Sequence, residues 1–164
     1  AVWVHFNEAW GQFKTPEIAD WTKAYDPSRL VNPASGGNHY KTGDILDLHN
    51  YPQADLFLYD ANRATVLGEY GGIGLALEEH LWQTDKNWGY VEFKNSKELS
   101  EEYVKYAENL KKLIKVGFSA AVYTQTTDVE GEVNGLMTYD RKKIKIEEAK
   151  VKKVNQEICN ILND

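Results

Sequence analysis

Two short apolar runs, each closed by a glutamate, constrain what this chain can fold into more than any other feature. Val2-Trp3-Val4-His5-Phe6 leads into Asn7-Glu8, and Ala64-Thr65-Val66-Leu67 leads into Gly68-Glu69. Runs of this length, rich in β-branched and aromatic residues, read as buried strands. A carboxylate just past such a strand sits at the rim of the sheet, where its charge keeps contact with water. A helical pattern follows the first run. Thr15 is a capping residue with Pro16 at the first helical position, Ile18, Trp21 and Tyr25 recur on one face, and Asp26-Pro27 stops the helix. Strands alternating with helices make a parallel α/β sheet or barrel, and the C-terminal ends of its strands form the catalytic face.

Arg29-Leu30-Val31-Asn32 reads as a further short strand, and Pro33-Ala34-Ser35-Gly36-Gly37 carries loop chemistry. Ile45 to His49 is another strand, but no helical period precedes it or follows between Tyr51 and Ala64. Residues 73–95 form a long segment after Glu69, with Leu81, Trp82, Trp88, Tyr90 and Phe93 around a polar centre, and a loop of that length is usually functional or disordered. The aromatics favour function. Asn95 or Ser96 opens a helix on which Tyr103, Ala107, Leu110 and Ile114 recur, and Gly117 ends it. Phe118 to Tyr123 is a strand, 124–140 is a polar loop and turn, and Val151, Val154, Ile158 and Ile161 mark a last amphipathic helix.

Charge and composition exclude several classes. A net charge of −6 without a dense basic cluster argues against a nucleic-acid partner. The lysines of 141–153 are interleaved with Glu147 and Glu148 and read as a solvated helix face. No run approaches the ~20 apolar residues of a membrane span, and no basic segment precedes an apolar run at the N-terminus, so neither a span nor a signal peptide is expected. The single cysteine, Cys159, excludes an intrachain disulfide and leaves the compartment open, cytoplasmic or extracytoplasmic. Five Trp and ten Tyr suit stacking on sugars, although cores and interfaces use the same residues.

Paired strand-end carboxylates are the equipment of glycoside hydrolysis. Residues 2–13, VWVHFNEAWGQF, with LVNPASG, LHNYP, VLGEYGG and SAAVYTQTTDVEGEVNGLMTYDRK further on, resemble the catalytic domain of glycoside hydrolase family 2, which holds β-galactosidases, β-glucuronidases and β-mannosidases. The resemblance implies a (β/α)8 barrel with parallel strands and a retaining mechanism on β-glycosides. At 164 residues the chain is shorter than the ~250 of a complete barrel. It is therefore expected to be the C-terminal half, strands four to eight, as one partial-barrel domain over 1–164. The resemblance makes Glu8 the acid/base and Glu69 the nucleophile, with no cofactor. It also gives Asn7 to the sugar 2-hydroxyl and makes Tyr51 the tyrosine that hydrogen-bonds the nucleophile.

Each of these residues has a plainer reading. Glu8 can be a helix-terminal charge, Glu69 a loop ion pair, Asn7 the cap of its own turn and Tyr51 a packing residue. His49 can bind a sugar hydroxyl or serve structure, and His5 can line the barrel interior. Trp10, Trp82 and Trp88 can each stack on a pyranose or pack in a core. Asn32 and Ser35 are weaker substrate contacts. Where the family commonly places a tryptophan under the sugar, this chain offers Tyr123 or Gln125. The four histidines lack metal-ligand spacing, so no metal site is expected. A cut barrel edge at Val2 to Phe6 would expose unpaired backbone and recruit a second copy. The competing readings are a carbohydrate-binding or interaction fragment without turnover, and a small doubly wound α/β interaction module.

Overall fold

The computed structural model describes residues 1–162, and it shows a mixed α/β protein with parallel strand pairing. In chain order the elements are β1 (Val2–Val4), α1 (Thr15–Tyr25), β2 (Leu30–Asn32), β3 (Ile45–Asn50), β4 (Ala64–Gly71), β5 (Ile73–Gly74), β6 (Val91–Glu92), α2 (Ser96–Lys115), β7 (Phe118–Thr124) and α3 (Glu148–Asn160). Three small sheets form among the described residues, ordered β1-β2, β3-β4-β7 and β5-β6, and they do not close into a barrel. No helix among them is long and apolar enough to cross a membrane. The chain divides into two compact units.

The first unit holds Ala1–His49, Leu56–Glu69 and Gly117–Val122. In it β1 lies parallel to β2, with Val2, Trp3 and Val4 opposite Leu30, Val31 and Asn32. Apolar β3, with Ile45, Leu46 and Leu48 buried, anchors the core with Val31, Ala34 and Leu67. Helix α1 departs from expectation in two ways. Lys14, in left-handed geometry, occupies the N-cap, while the Thr15 hydroxyl donates to Gln12 Oε1 at 2.9 Å and caps nothing. The buried face is Thr15, Ala19 and Thr22, whereas Trp21 and Tyr25 stack on each other outside, with ring centroids 5.1 Å apart. Small residues let the helix approach the sheet closely, so the bulky face is the one turned out.

The second unit holds Asn50–Asp55, Tyr70–Val116 and the chain from Tyr123 onward. Helix α2 starts at Asn95, whose side chain accepts from the Glu98 amide at 2.9 Å, and it buries Leu99, Tyr103, Tyr106, Ala107 and Leu110. It packs on Val151 and Val154 of α3, and the Tyr103 hydroxyl donates to Asn155 across that pairing. The segment 73–95 is not the plain loop that its sequence suggests. It contains β5, a turn of 3₁₀ helix at Glu78–His80, and β6, and β5 pairs parallel with β6.

Lys145 is not on a solvated face but completely buried, and its Nζ donates to Asp128 Oδ1 at 2.6 Å, Val133 O at 2.9 Å and Leu75 O at 3.0 Å. All three ammonium donors are thereby satisfied. Asp128 Oδ1 also accepts from the Gly135 amide. Burial pushes the Asp128 carboxyl up and the Lys145 ammonium down, and their ion pair opposes both shifts. Removing one partner leaves a buried charge uncompensated. Lys145→Met is therefore expected to destabilise the protein by about 3–5 kcal/mol in urea melts, whereas a loss under ~1 kcal/mol would show that the pair does not organise this unit.

Candidate active site

The first unit brings Glu8, His49 and Glu69 together. Glu8 is delivered by the β1-β2 pairing, which continues past the strands as a parallel bridge between Asn7 and Ser35. Ser35 N donates to Phe6 O at 2.8 Å and Glu8 N to Ser35 O at 2.7 Å. Glu8 then adopts a left-handed φ of 52°, and its carbonyl accepts from Gln12 Nε2, so the chain turns away as the strand pairing ends. Glu69 lies in β4 and His49 in the neighbouring β3.

His49 joins the two carboxylates. Its Nδ1 lies 3.1 Å from Glu8 Oε1 and 3.4 Å from Glu69 Oε2, and one oxygen of each glutamate and this nitrogen lie within 4.8 Å of one another. On the far side of the ring, Nε2 lies 2.9 Å from Ser35 Oγ. Facing oxygens of two carboxyl groups, Nδ1 is placed to act as a donor to either of them when it carries the ring proton. The Ser35 hydroxyl can donate to a bare Nε2 or accept from a protonated one, so it accommodates the ring in either charge state. The imidazole is 5% exposed, while the Glu8 and Glu69 side chains keep 38% and 31% of their surface. The carboxylates thus reach solvent over a buried, oriented ring.

Two glycines explain how the ring and the carboxylate come so close. Gly36 has φ +67°, and a Cβ there would lie 2.5 Å from His49 Cγ. Gly37 has φ +62°, and its Cβ would meet the Glu8 carbonyl carbon at 2.7 Å. Both the left-handed backbone and the lack of space demand glycine.

The trio has the composition of a metal-ligand set, two carboxylates and an imidazole whose other nitrogen has a hydroxyl partner. A cation there would need Nδ1 deprotonated and would engage both carboxylates. This grouping is invisible in the spacing of the histidines, because two of its three members are glutamates from distant strands.

Asn7 is exposed at the end of the β1 pairing, next to Glu8. Asn32 is buried and donates to Asp47, not toward the two glutamates. Ser35 contacts His49, so its observed part is to orient the ring. His5 does not stand beside the glutamates in contact, since its Nε2 pairs with Thr22 Oγ1 at 2.7 Å. Trp10 is exposed.

Tyr51, Trp82, Trp88 and Gln125 belong to the second unit. There Tyr51 stacks on Tyr90 with centroids 3.9 Å apart, and Trp88 meets Tyr90 edge-on at 5.5 Å. Trp82 packs edge-on against Tyr139 yet stays 62% exposed, enough ring surface to stack on a ligand. Gln125 donates to Asn134 Oδ1 at 2.5 Å and Glu132 Oε2 at 3.1 Å. Tyr123 is taken up by packing against Tyr70 and Tyr103, and burial raises all three phenols, which stay neutral.

No protein-family model matches the chain, and no curated protein matches it.

The steric account of Gly36 can be isolated with a control. Gly11 has nearly the same φ, +61°, but a Cβ there meets nothing within 4 Å. Both glycine-to-alanine changes carry left-handed strain of about 1–2 kcal/mol, and only Gly36→Ala also drives a methyl into the His49 ring. It should cost at least ~1 kcal/mol more than Gly11→Ala in chemical denaturation. Equal losses would contradict the close approach.

Proposed function

We propose that this chain carries the catalytic centre of a retaining β-glycosidase of the family 2 type, with Glu69 as nucleophile and Glu8 as acid/base. The observation that carries the reading is the approach of the two strand-delivered carboxylates, their oxygens within 4.8 Å across His49. Retaining enzymes hold their carboxyl groups about 5–5.5 Å apart and inverting ones about 6.5–9.5 Å. The short separation favours a covalent intermediate over direct attack by water.

In the first step a Glu69 oxygen attacks the anomeric carbon, the glycosidic C–O bond breaks, and the proton on Glu8 passes to the departing oxygen. In the second, Glu8 takes a proton from water, the water oxygen displaces Glu69 from the anomeric carbon, and the sugar leaves with its configuration retained. The His49 N–H lies within reach of both carboxylates and is suited to following the charge from one to the other. Asn7, beside Glu8, is assigned to the 2-hydroxyl by the resemblance. The parts given to Tyr51, Trp82, Trp88 and Gln125 rest on motif position and on their aromatic or amide chemistry.

The finer fold proposal follows from the same reading: β1, β2, β3, β4 and β7 are strands four to eight of a (β/α)8 barrel. The neighbour relations support it, because a barrel places four beside five and six beside seven beside eight, and the sheets are ordered β1-β2 and β3-β4-β7. In this proposal β1, with Val2, Trp3 and Val4 exposed and β2 as its only strand neighbour among the described residues, associates with a second copy.

Two experiments check these proposals. Glu69→Gln should abolish turnover of aryl β-glycosides. Glu8→Ala should keep the first step for a dinitrophenyl leaving group and yield a β-glycosyl azide when azide is added. Identical losses with no azide product would remove the assigned roles. Sedimentation at tens of micromolar should show association that Val4→Lys weakens, and a monomer with a sharp cooperative melt would contradict the edge pairing.

A further inference from the structure

We infer that Asp47 is a positioning residue for Glu69 and acts through the peptide of Gly68. The inference rests on the reading of Glu69 as nucleophile for its consequence in turnover, but not for its geometry. Asp47 lies in the middle of β3, 5% exposed, between the buried Leu46 and Leu48. A carboxylate in such surroundings persists when hydrogen bonds replace its water. Its two oxygens are claimed from two other strands. Asn32 Nδ2 of β2 donates to Oδ2 at 2.7 Å, and Gly68 N of β4 donates to Oδ1 at 2.8 Å.

Gly68 is the residue immediately before Glu69, and it is held without slack. A Cβ on Gly68 would lie 2.1 Å from Asp47 Oδ1, so the carboxylate fills the space where any other residue would carry its side chain. Alternation along β3 puts Asp47 and His49 on one face. Glu69 is thus fixed twice by that face, through the backbone N–H before it and through His49 Nδ1 at 3.4 Å from its carboxylate. The Asn32 amide is oriented by the same contact. It must turn its NH₂ to Asp47, and the opposite oxygen, Oδ1, is left buried with no hydrogen-bond partner.

The test uses Asp47→Asn, Asn32→Ala and the exchange Asn32→Asp/Asp47→Asn. Asp47→Asn sets an NH₂ where the carboxylate accepted, so one of the two donors faces a donor. The exchange restores an amide-carboxylate pair of reversed polarity and leaves the residue-47 oxygen to accept from Gly68. On an aryl β-glycoside, Asp47→Asn should lower kcat about 10–100-fold with KM within about threefold, and the exchange should recover most of that loss. Asn32→Ala, which leaves Asp47 its Gly68 contact, should act in the same direction more weakly, and it decides the matter if Asp47→Asn does not fold. The Gly68 amide should exchange its hydrogen with solvent at least about tenfold faster in Asp47→Asn, beyond any change shared by other core amides, and regain its protection in the exchange. Unchanged kcat and unchanged Gly68 protection in variants that are merely less stable would overturn the inference. If the wild-type protein turns over no glycoside, the hydrogen exchange of Gly68 still decides the role of Asp47, and the missing turnover counts against Glu69 as nucleophile.

Discussion

The imidazole of His49 is the contact on which the candidate site depends. Two carboxyl groups with oxygens within 4.8 Å repel one another whenever both are ionised. A shared N–H donor between them offsets that repulsion, and only a ring held in one orientation supplies it. Ser35 fixes the ring from behind at 2.9 Å, and Gly36 lets the loop close against its face. The β1-β2 pairing continues to Asn7 and Ser35 and so sets Glu8 and Ser35 at opposite nitrogens of this ring. Strands β3 and β4 bring the ring and Glu69.

The second unit is organised on a different principle. Its centre is a buried charge pair, Lys145 with Asp128, satisfied by backbone carbonyls and by the Gly135 amide. Such a network fixes loop geometry over 125–145 where few apolar side chains are available to do so, since each backbone group it ties down has a single compatible position. That geometry holds Gln125 against Glu132 and Asn134. The aromatic residues divide in kind: Tyr70, Tyr103 and Tyr123 pack inside, while Trp82 and Trp88 keep exposed ring surface. Exposed indole has a flat apolar face that can stack on a ligand ring.

The apolar runs before Glu8 and Glu69 are legible in the sequence, but their buried, strand-ending character is not met: β1 stops at Val4 with its residues exposed, and β4 continues through Glu69 to Gly71. Helix α2 is legible because its cap and its period agree. Other features are hidden for physical reasons. The buried face of α1 escapes a reading by hydrophobicity, which ranks Trp21 above Ala19, whereas close helix packing ranks size. Lys145 is hidden because a lysine in a polar stretch looks the same whether or not a carboxylate 17 residues away waits for it. Asp47 leaves a trace: a polar residue two before His49 in an apolar strand shares its face, and Gly36-Gly37 after Ser35 marks a place where two chain segments nearly touch.

Trapping the covalent intermediate distinguishes the nucleophile from the acid/base. Incubation with a 2-deoxy-2-fluoro-β-glycosyl fluoride slows both steps and lets the glycosyl-enzyme accumulate, and mass spectrometry of the peptides then locates the sugar. The account predicts one adduct per chain, on the carboxylate of Glu69, and none in Glu69→Gln. An adduct on Glu8, or inversion of the anomeric configuration in the product of a natural β-glycoside, would contradict it.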